Sequence, residues 1–360
     1  MTGPAGVRCM LMRGGTSKGA YFLADDLPTE KTVRDELLLR VMGSPDPRQI
    51  DGLGGAHPLT SKIAVVSPSN DPEADVDYLF LQVAVDAAEV SDRQNCGNLL
   101  AGVGPFAVER GLVGAGSSET SVRIRMVNSG DLATASFPTP NGRVEYSGDT
   151  EISGVPGSAA AVVIEFPPGK ARLLPTGNVR DTVAGIEVTC VDNGMPTVLI
   201  PAEALEVTGH EDPENLEGNR DLTARLHDMR LAAGQLMGLG DVTGTTVPKL
   251  TLLSPPRHGG AVTTRTFIPA RVHTSIGVLG AASVAAGLRI EGSVARGIAV
   301  LPEDGDRLRI EHPSGFTDIE SSIDEVPEGG PRARRTAVVR TARKIFDGTV
   351  FPVPLTGARS

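Results

Sequence analysis

The chain has 360 residues, of which 40% are hydrophobic and 22% charged, so it is long enough for two globular domains and apolar enough to bury a core in each. Aromatic residues are scarce, at 9 Phe, 3 Tyr and no Trp, which argues against a stacking platform for single-stranded nucleic acid. Lys and Arg number 34 against 44 Asp and Glu, and a net charge of −10 is the wrong sign for a protein organised around phosphate backbones.

Short β-rich runs separated by turn residues recur along the chain. They cover 62–66, 78–85, 122–127, 161–166, 188–191 and 198–200, and later 250–253, 261–267, 297–301, 308–311 and 337–341. Many short strands with few strand–helix alternations read as mostly antiparallel sheets in an α+β chain. The segment 221–239 is an amphipathic helix, with Leu222, Leu226, Met229 and Leu236 near helical spacing and Gly240 just beyond. Two other segments have no polar face. GNLLAGVGPFAVERG (97–111) carries no charge before Glu109, and SIGVLGAASVAAGL (275–288) carries none at all. Helices apolar all round are buried helices. Each follows a strand and a short polar loop, so one plan, a core helix wrapped by strands, is used twice. The basic run 332–344 contains the strand-like 337–341 and reads as a strand with charged flanks rather than a nucleic-acid tail.

The remaining absences narrow the chemistry. Three Cys without a CxxC pair exclude a disulfide scaffold and a structural zinc site. The six His lack HExxH or HxH spacing, so no metal is expected. The first 25 residues carry Arg8, Arg13, Lys18 and Asp25 without a long apolar run, and no stretch approaches the roughly 20 apolar residues that span a bilayer. A cytoplasmic protein with no membrane or nucleic-acid partner is expected.

Four loops carry the candidate chemistry. Asn95-Cys96-Gly97-Asn98 opens the first apolar helix, where free N–H groups and the helix dipole favour a thiolate and make the thiol a competent acid or base. Cys9 and Cys190 lie in apolar strand-like stretches and read as core. Asp51 to Gly55 is a glycine-rich loop running on to Thr60-Ser61-Lys62, and a Lys at the mouth of a strand becomes a usable general base when desolvated. Arg13-Gly14-Gly15-Thr16-Ser17-Lys18-Gly19 lacks the spacing of a nucleotide phosphate loop but suits a carboxylate. Arg271-Val272-His273-Thr274-Ser275 leads into the second apolar helix, with a guanidinium that can clamp a carboxylate. Together they fit a small substrate bearing several carboxylates and a proton-transfer reaction that needs no cofactor.

The motifs MRGGTSKG (12–19), GSPDPRQIDGLGGAHPLTSK (43–62), QNCGN (94–98) and RVHTSIG (271–277) resemble the family of 2-methylaconitate cis–trans isomerases and 4-oxalomesaconate tautomerases, in order and over nearly the whole chain. The resemblance implies the diaminopimelate-epimerase-like fold: two pseudo-symmetric domains, each a barrel-like sheet around a central helix, with the active site in the cleft between them. The limits expected are 1–180 for the first domain, completed by a C-terminal strand at 345–360, and 181–344 for the second. Family epimerases carry a Cys at the start of each central helix; here the second position reads HTSIG, which points to an asymmetric acid/base pair. The resemblance matches Lys62 and Cys96 to that catalytic pair. It further implies carboxylate binding by Thr16, Ser17, Arg271 and His273, and charge stabilisation around Gly97, Asn98 and Ser275. Arg13, Ser61 and Asn95 complete the substrate-binding set. The activity implied is a cofactor-independent isomerisation of 4-oxalomesaconate in aromatic-acid breakdown, such as that of gallate. The alternatives are 2-methylaconitate or another small polycarboxylate, a thiol hydrolase using Cys96 and His273, and a non-catalytic acid-binding protein. A small tricarboxylate is the expected partner, and a homodimer is compatible with the reading.

Overall fold

Strands buried on both faces form where apolar residues run without a polar alternate, and the chain begins that way. In the computed structural model, which describes residues 6–167, 172–324 and 330–354, β1 (Val7–Gly14) and β2 (Ser17–Leu23) pair as a hairpin through the Gly15-Thr16 turn. Side chains alternate along a strand. Ser17, Gly19 and Tyr21 therefore look to one side of β2, while Ala20 and Phe22 join an outer core with Cys9, Ile63 and Leu81. That outer core is closed by α1 (Lys31–Met42), which buries Leu38, Val41 and Met42. The Glu30 side chain caps this helix by accepting from the N–H groups of Thr32 and Val33.

After α1 come β3 (Lys62–Pro68), parallel to β2, and β4 (Val76–Val83), antiparallel to β3. The two-residue β5 (Val90–Ser91) leads to α2 (Gly97–Glu109), then β6 (Glu119–Met126), parallel to β4, and its hairpin partner β7 (Leu132–Pro138). Helix α2 is buried from Leu99 to Ala107, as its lack of a polar face requires. Its glycines set the packing distance. A Cβ on Gly102 would lie 2.5 Å from the Tyr21 hydroxyl, and one on Gly104 would lie 2.6 Å from the Phe137 ring.

The rest of the chain repeats this order of moves. After β8 (Ala161–Glu165) and β9 (Asp181–Val183), the hairpin β10 (Ile186–Asp192) and β11 (Pro196–Pro201) corresponds to β1 and β2. Two helices, α3 (Pro213–Gly218) and α4 (Arg220–Leu236), stand where α1 stood, and β12 (Lys249–Ser254) is parallel to β11. Next come β13 (Val262–Ile268), β14 (Arg271–Val272) and α5 (Val278–Arg289). They are followed by β15 (Arg307–His312), parallel to β13, and its hairpin partner β16 (Gly315–Asp324). Helix α5 is buried from Gly280 to Leu288. The chain ends in β17 (Arg332–Val350), which pairs with β16 through Arg332 to Val338 and with β1 through Ala342 to Val350. By internal contacts the residues group into Met1–Ile164 with Arg340–Ser360, and Glu165–Val339. The sequence put the divide near 180 and the return at 345.

The α+β class with mostly antiparallel pairing holds, but the sheets are mixed, since each unit contains two parallel steps. Residues 297–301 do not form a strand: Ile298 and Ala299 N–H groups bond back to Ala295, and Val300 is 61% exposed. Helix α1 is absent from the sequence expectations because its apolar residues, including exposed Val33, do not fall on one stripe. Burial holds the Cys9 and Cys190 thiols up at about 12, in keeping with core roles. Among the described residues no helix is long and apolar enough to cross a membrane.

Replacing Gly102 by Val is expected to destabilise the protein by about 1–3 kcal/mol through overpacking against Tyr21. Gly114→Ala, with nothing within 4 Å of the new Cβ, should stay within about 0.5 kcal/mol of wild type. Urea unfolding of the two variants measures the difference.

Candidate active site

The first turn of α2 is pinned by two phenols. Tyr78 donates its hydroxyl to the Cys96 carbonyl at 3.2 Å, and Tyr21 donates to the Leu99 carbonyl at 2.6 Å. Both residues are fully buried, and burial holds both phenols far above their usual range, so they serve as neutral donors. Cys96 is the N-cap residue, extended at φ −130° and ψ 97°, and its side chain accepts no capping hydrogen bond. It is 8% exposed. The thiol therefore stands beside the unpaired N–H groups of Gly97 and Asn98, where the helix dipole favours negative charge.

The β1–β2 turn is fitted against this helix start. Gly15 has φ +52°, and a Cβ on Gly14 would lie 2.5 Å from the Asn98 carbonyl oxygen, so the turn approaches only because both residues lack side chains. Asn98 joins the two elements. Its Oδ1 accepts from Thr16 N–H at 3.4 Å, and its Nδ2 donates to Thr16 Oγ1 at 3.1 Å. Arg13 braces the turn from behind, with Nη1 donating to the carbonyls of Gly15 (2.9 Å) and Thr341 (3.0 Å) and to Thr341 Oγ1 (3.0 Å). Ser17 is 2% exposed, and among the described residues its hydroxyl has no hydrogen-bond partner. A buried hydroxyl without a protein partner is unusual.

Lys62 opens β3 on the same inner side as Gly19, its register partner on β2. It is 7% exposed. Its Nζ donates to Gln82 Oε1 at 2.8 Å and lies 4.8 Å from the Phe80 ring centroid. The preceding loop is organised by Gln49, which is buried and held at φ 44°. Gln49 Nε2 donates to Ser44 Oγ at 3.0 Å and Ser61 Oγ at 2.7 Å, while its Oε1 accepts from Ala56 N–H at 3.0 Å. Ser61, expected to bind substrate, is fully buried and engaged with Gln49. Asn95 is exposed and donates to Ser129 Oγ at 2.7 Å.

In the second unit, helix α5 begins at Val278 behind the Gly277 N-cap, so Ser275 precedes the helix instead of capping it. Ser275 N–H donates to His273 Nδ1 at 2.9 Å, which leaves the proton of a neutral imidazole on Nε2. Ser275 Oγ is 3.2 Å from Nε2 of buried His312. Arg271 is exposed on β14. Burial, with Lys249 nearby, holds His273 below its ordinary value. Among the described residues no group of three or more His, Cys, Asp or Glu is arranged to hold a metal ion.

The PrpF protein family matches residues 5–353. The chain belongs to this family. It is 57% identical to a 4-oxalomesaconate tautomerase of Pseudomonas putida, over 97% of this chain and 96% of that protein. It is 56% identical to a (4E)-oxalomesaconate Delta-isomerase of Novosphingobium sp., over 95% and 96%. A crystal structure of a methylitaconate-delta-isomerase superposes with a TM-score of 0.85 at 34% identity, covering 99% of this chain and all of that one. The chain is an isomerase. Within this PrpF member, the residues that hold the candidate side chains and that the sequence reading did not single out are Tyr21, Tyr78, Gln82, His312 and, inside the 43–62 motif, Gln49. Tyr78, Phe80 and Gln82 alternate along β4, and a polar residue at the end of an inward-facing series was the available signal for Gln82.

The depressed value of His273 has a definite sign. The folded state favours the neutral ring, so the stabilisation is present above about 6.5, the unfolded value, and is lost as pH falls through the lower folded value. The His273 ring protons are expected to titrate below 6.5 by NMR. Wild type should lose stability relative to His273→Gln as pH falls below about 6.5.

Proposed function

We propose that this isomerase moves a proton on 4-oxalomesaconate, interconverting keto and enol forms or shifting the double bond, without a cofactor, in the breakdown of aromatic acids such as gallate. The observation that carries the reading is the buried Lys62 amine on the inner face of the sheet that also holds the Cys96 helix start, in a chain so similar to two oxalomesaconate enzymes.

In its neutral form Lys62 takes a proton from the carbon next to the conjugated system. The electron pair left behind spreads over the neighbouring carbonyl and double bond as a dienolate. Cys96 acts as the acid/base partner, returning a proton at the far end of that system or steadying the intermediate. The N–H groups of Gly97 and Asn98 favour the developing negative charge. Thr16 and the unpartnered Ser17 hydroxyl bind a carboxylate. In the second unit, Arg271 and His273 keep the carboxylate-binding roles, and Ser275 the charge-stabilising role, that the resemblance implies. Arg13, Ser61 and Asn95 act through the loops that they brace, given their engagement with Thr341, Gln49 and Ser129.

Proton NMR of the protein with 4-oxalomesaconate in D₂O, without added metal or cofactor, is expected to follow isomerisation with deuterium entering the carbon skeleton. No exchange with that substrate, but turnover of 2-methylaconitate assayed beside it, would move the assignment to the latter. Removing a general base commonly costs about 10² to 10⁴ in rate. Lys62→Met is therefore expected to lose that much kcat, and a folded variant with normal turnover overturns the role given to Lys62.

A further inference from the structure

The amine of Lys62 is held by a group that carries no charge. Lys62 and Gln82 are direct partners in the antiparallel β3–β4 register, and Gln82 Oε1 accepts from Nζ at 2.8 Å. The orientation of this amide is dictated from its other end. Gln82 Nε2 donates to the backbone carbonyls of Ser61 at 2.9 Å, Pro58 at 3.1 Å and Val83 at 3.4 Å. Carbonyl oxygens only accept, so the amide NH₂ has to face them and the amide oxygen has to face Lys62. The Pro58 and Ser61 carbonyls belong to the loop that delivers Lys62 to the strand, so loop position and amine direction are coupled through one side chain.

We infer that Gln82 is the positioning residue of the isomerase, aiming the Lys62 amine while adding no negative charge that would lock it as an ammonium. This inference rests on the reading of Lys62 as the proton acceptor. Among the described residues no carboxylate forms an ion pair with Lys62, and a neutral acceptor satisfies one N–H while leaving the amine free to give up another proton. A carboxylate in the same place would favour the charged form. The titratable groups on neighbouring elements of this face are Tyr21 on β2, Tyr78 on β4 and Cys96 at the start of α2, none of them a carboxylate. His57 stands on the turn before β3, with Nδ1 engaged by Leu59 N–H. Asp86 lines a surface hollow of about 470 Å³ together with Gln82, Pro58 and Val85.

Two variants and one control test the inference on the full-length enzyme with 4-oxalomesaconate. Gln82→Leu removes the acceptor and is expected to lower kcat about 10- to 100-fold, the scale of a small misplacement of a reacting group. KM should stay within about threefold, because the substrate contacts are untouched. Gln82→Glu keeps the shape and adds the charge, which is expected to move the acid limb of the kcat/KM profile up by about 1–3 pH units. This second variant keeps the test open if the leucine variant fails to fold. Folded variants with wild-type kcat and an unmoved acid limb overturn the inference. A matched loss in kcat and rise in KM with the limb unmoved also overturns it, leaving Gln82 as a brace for the loop. Lys62→Met, measured alongside, separates the two levels: if it retains turnover the base assignment fails, whereas an inactive Lys62→Met beside indifferent Gln82 variants rejects only the role of Gln82.

Discussion

A helix that is apolar on every side has to be enclosed, and in the first unit the enclosure is close enough that Gly102 and Gly104 leave no room for a Cβ. Enclosure along its length leaves only the ends of α2 available for chemistry. The C-terminal end offers carbonyls; the N-terminal end offers unpaired N–H groups and positive potential. Cys96, Gly97 and Asn98 thus matter because of what lies behind them. The tyrosines on β2 and β4 spend their hydroxyls on the Leu99 and Cys96 carbonyls, which fixes the first turn without consuming any of its donors. The packing constraint and the anion-friendly site are consequences of one burial.

The second element of the site obeys a different rule. Lys62 is nearly as buried as a core residue, yet the stabilisation that it receives comes from an amide oxygen and an aromatic face rather than from an opposite charge. A buried ammonium with a carboxylate partner would be a structural ion pair and a poor base. The loop before β3 supplies the Pro58 and Ser61 carbonyls to Gln82 and, through Gln49, a second amide anchor to Ser61. One buried glutamine and one half-buried glutamine therefore do for the lysine what the two tyrosines do for the cysteine.

Much of this was legible in the sequence, and the exceptions have physical causes. The apolar helices announced themselves because no exposed helix lacks a polar face. Lys62 and Cys96 were visible because each sits at the edge of a glycine-rich or helix-opening motif. Gln82 was missed because a polar residue on a strand ordinarily marks the solvent side, although it continues the alternate Tyr78 and Phe80, and the β3–β4 register sets it opposite Lys62. Arg13 looked like a free guanidinium because its partner Thr341 lies at the other end of the chain, beyond any local pattern. The short apolar run at 297–301 imitated a strand, but its Ile298 and Ala299 N–H groups close turns on Ala295.

The course of β17 has a kinetic consequence. Cys9 pairs with Gly348 and Val7 with Val350, so β1 waits for residues about 340 positions later in the chain before its pairing with β17 closes. The entropic cost of so long a loop is modest at equilibrium, because it grows only with the logarithm of length. Its effect on rate is larger, since contacts between distant residues delay folding and keep an unpaired strand edge exposed while synthesis continues. The residues of Glu165–Val339 are all made before that closure. Completion of the unit that carries Lys62 and Cys96 is thereby tied to synthesis of β17, and a product truncated before it would lack the β1–β17 pairing and with it the Thr341 anchor of the Arg13 turn.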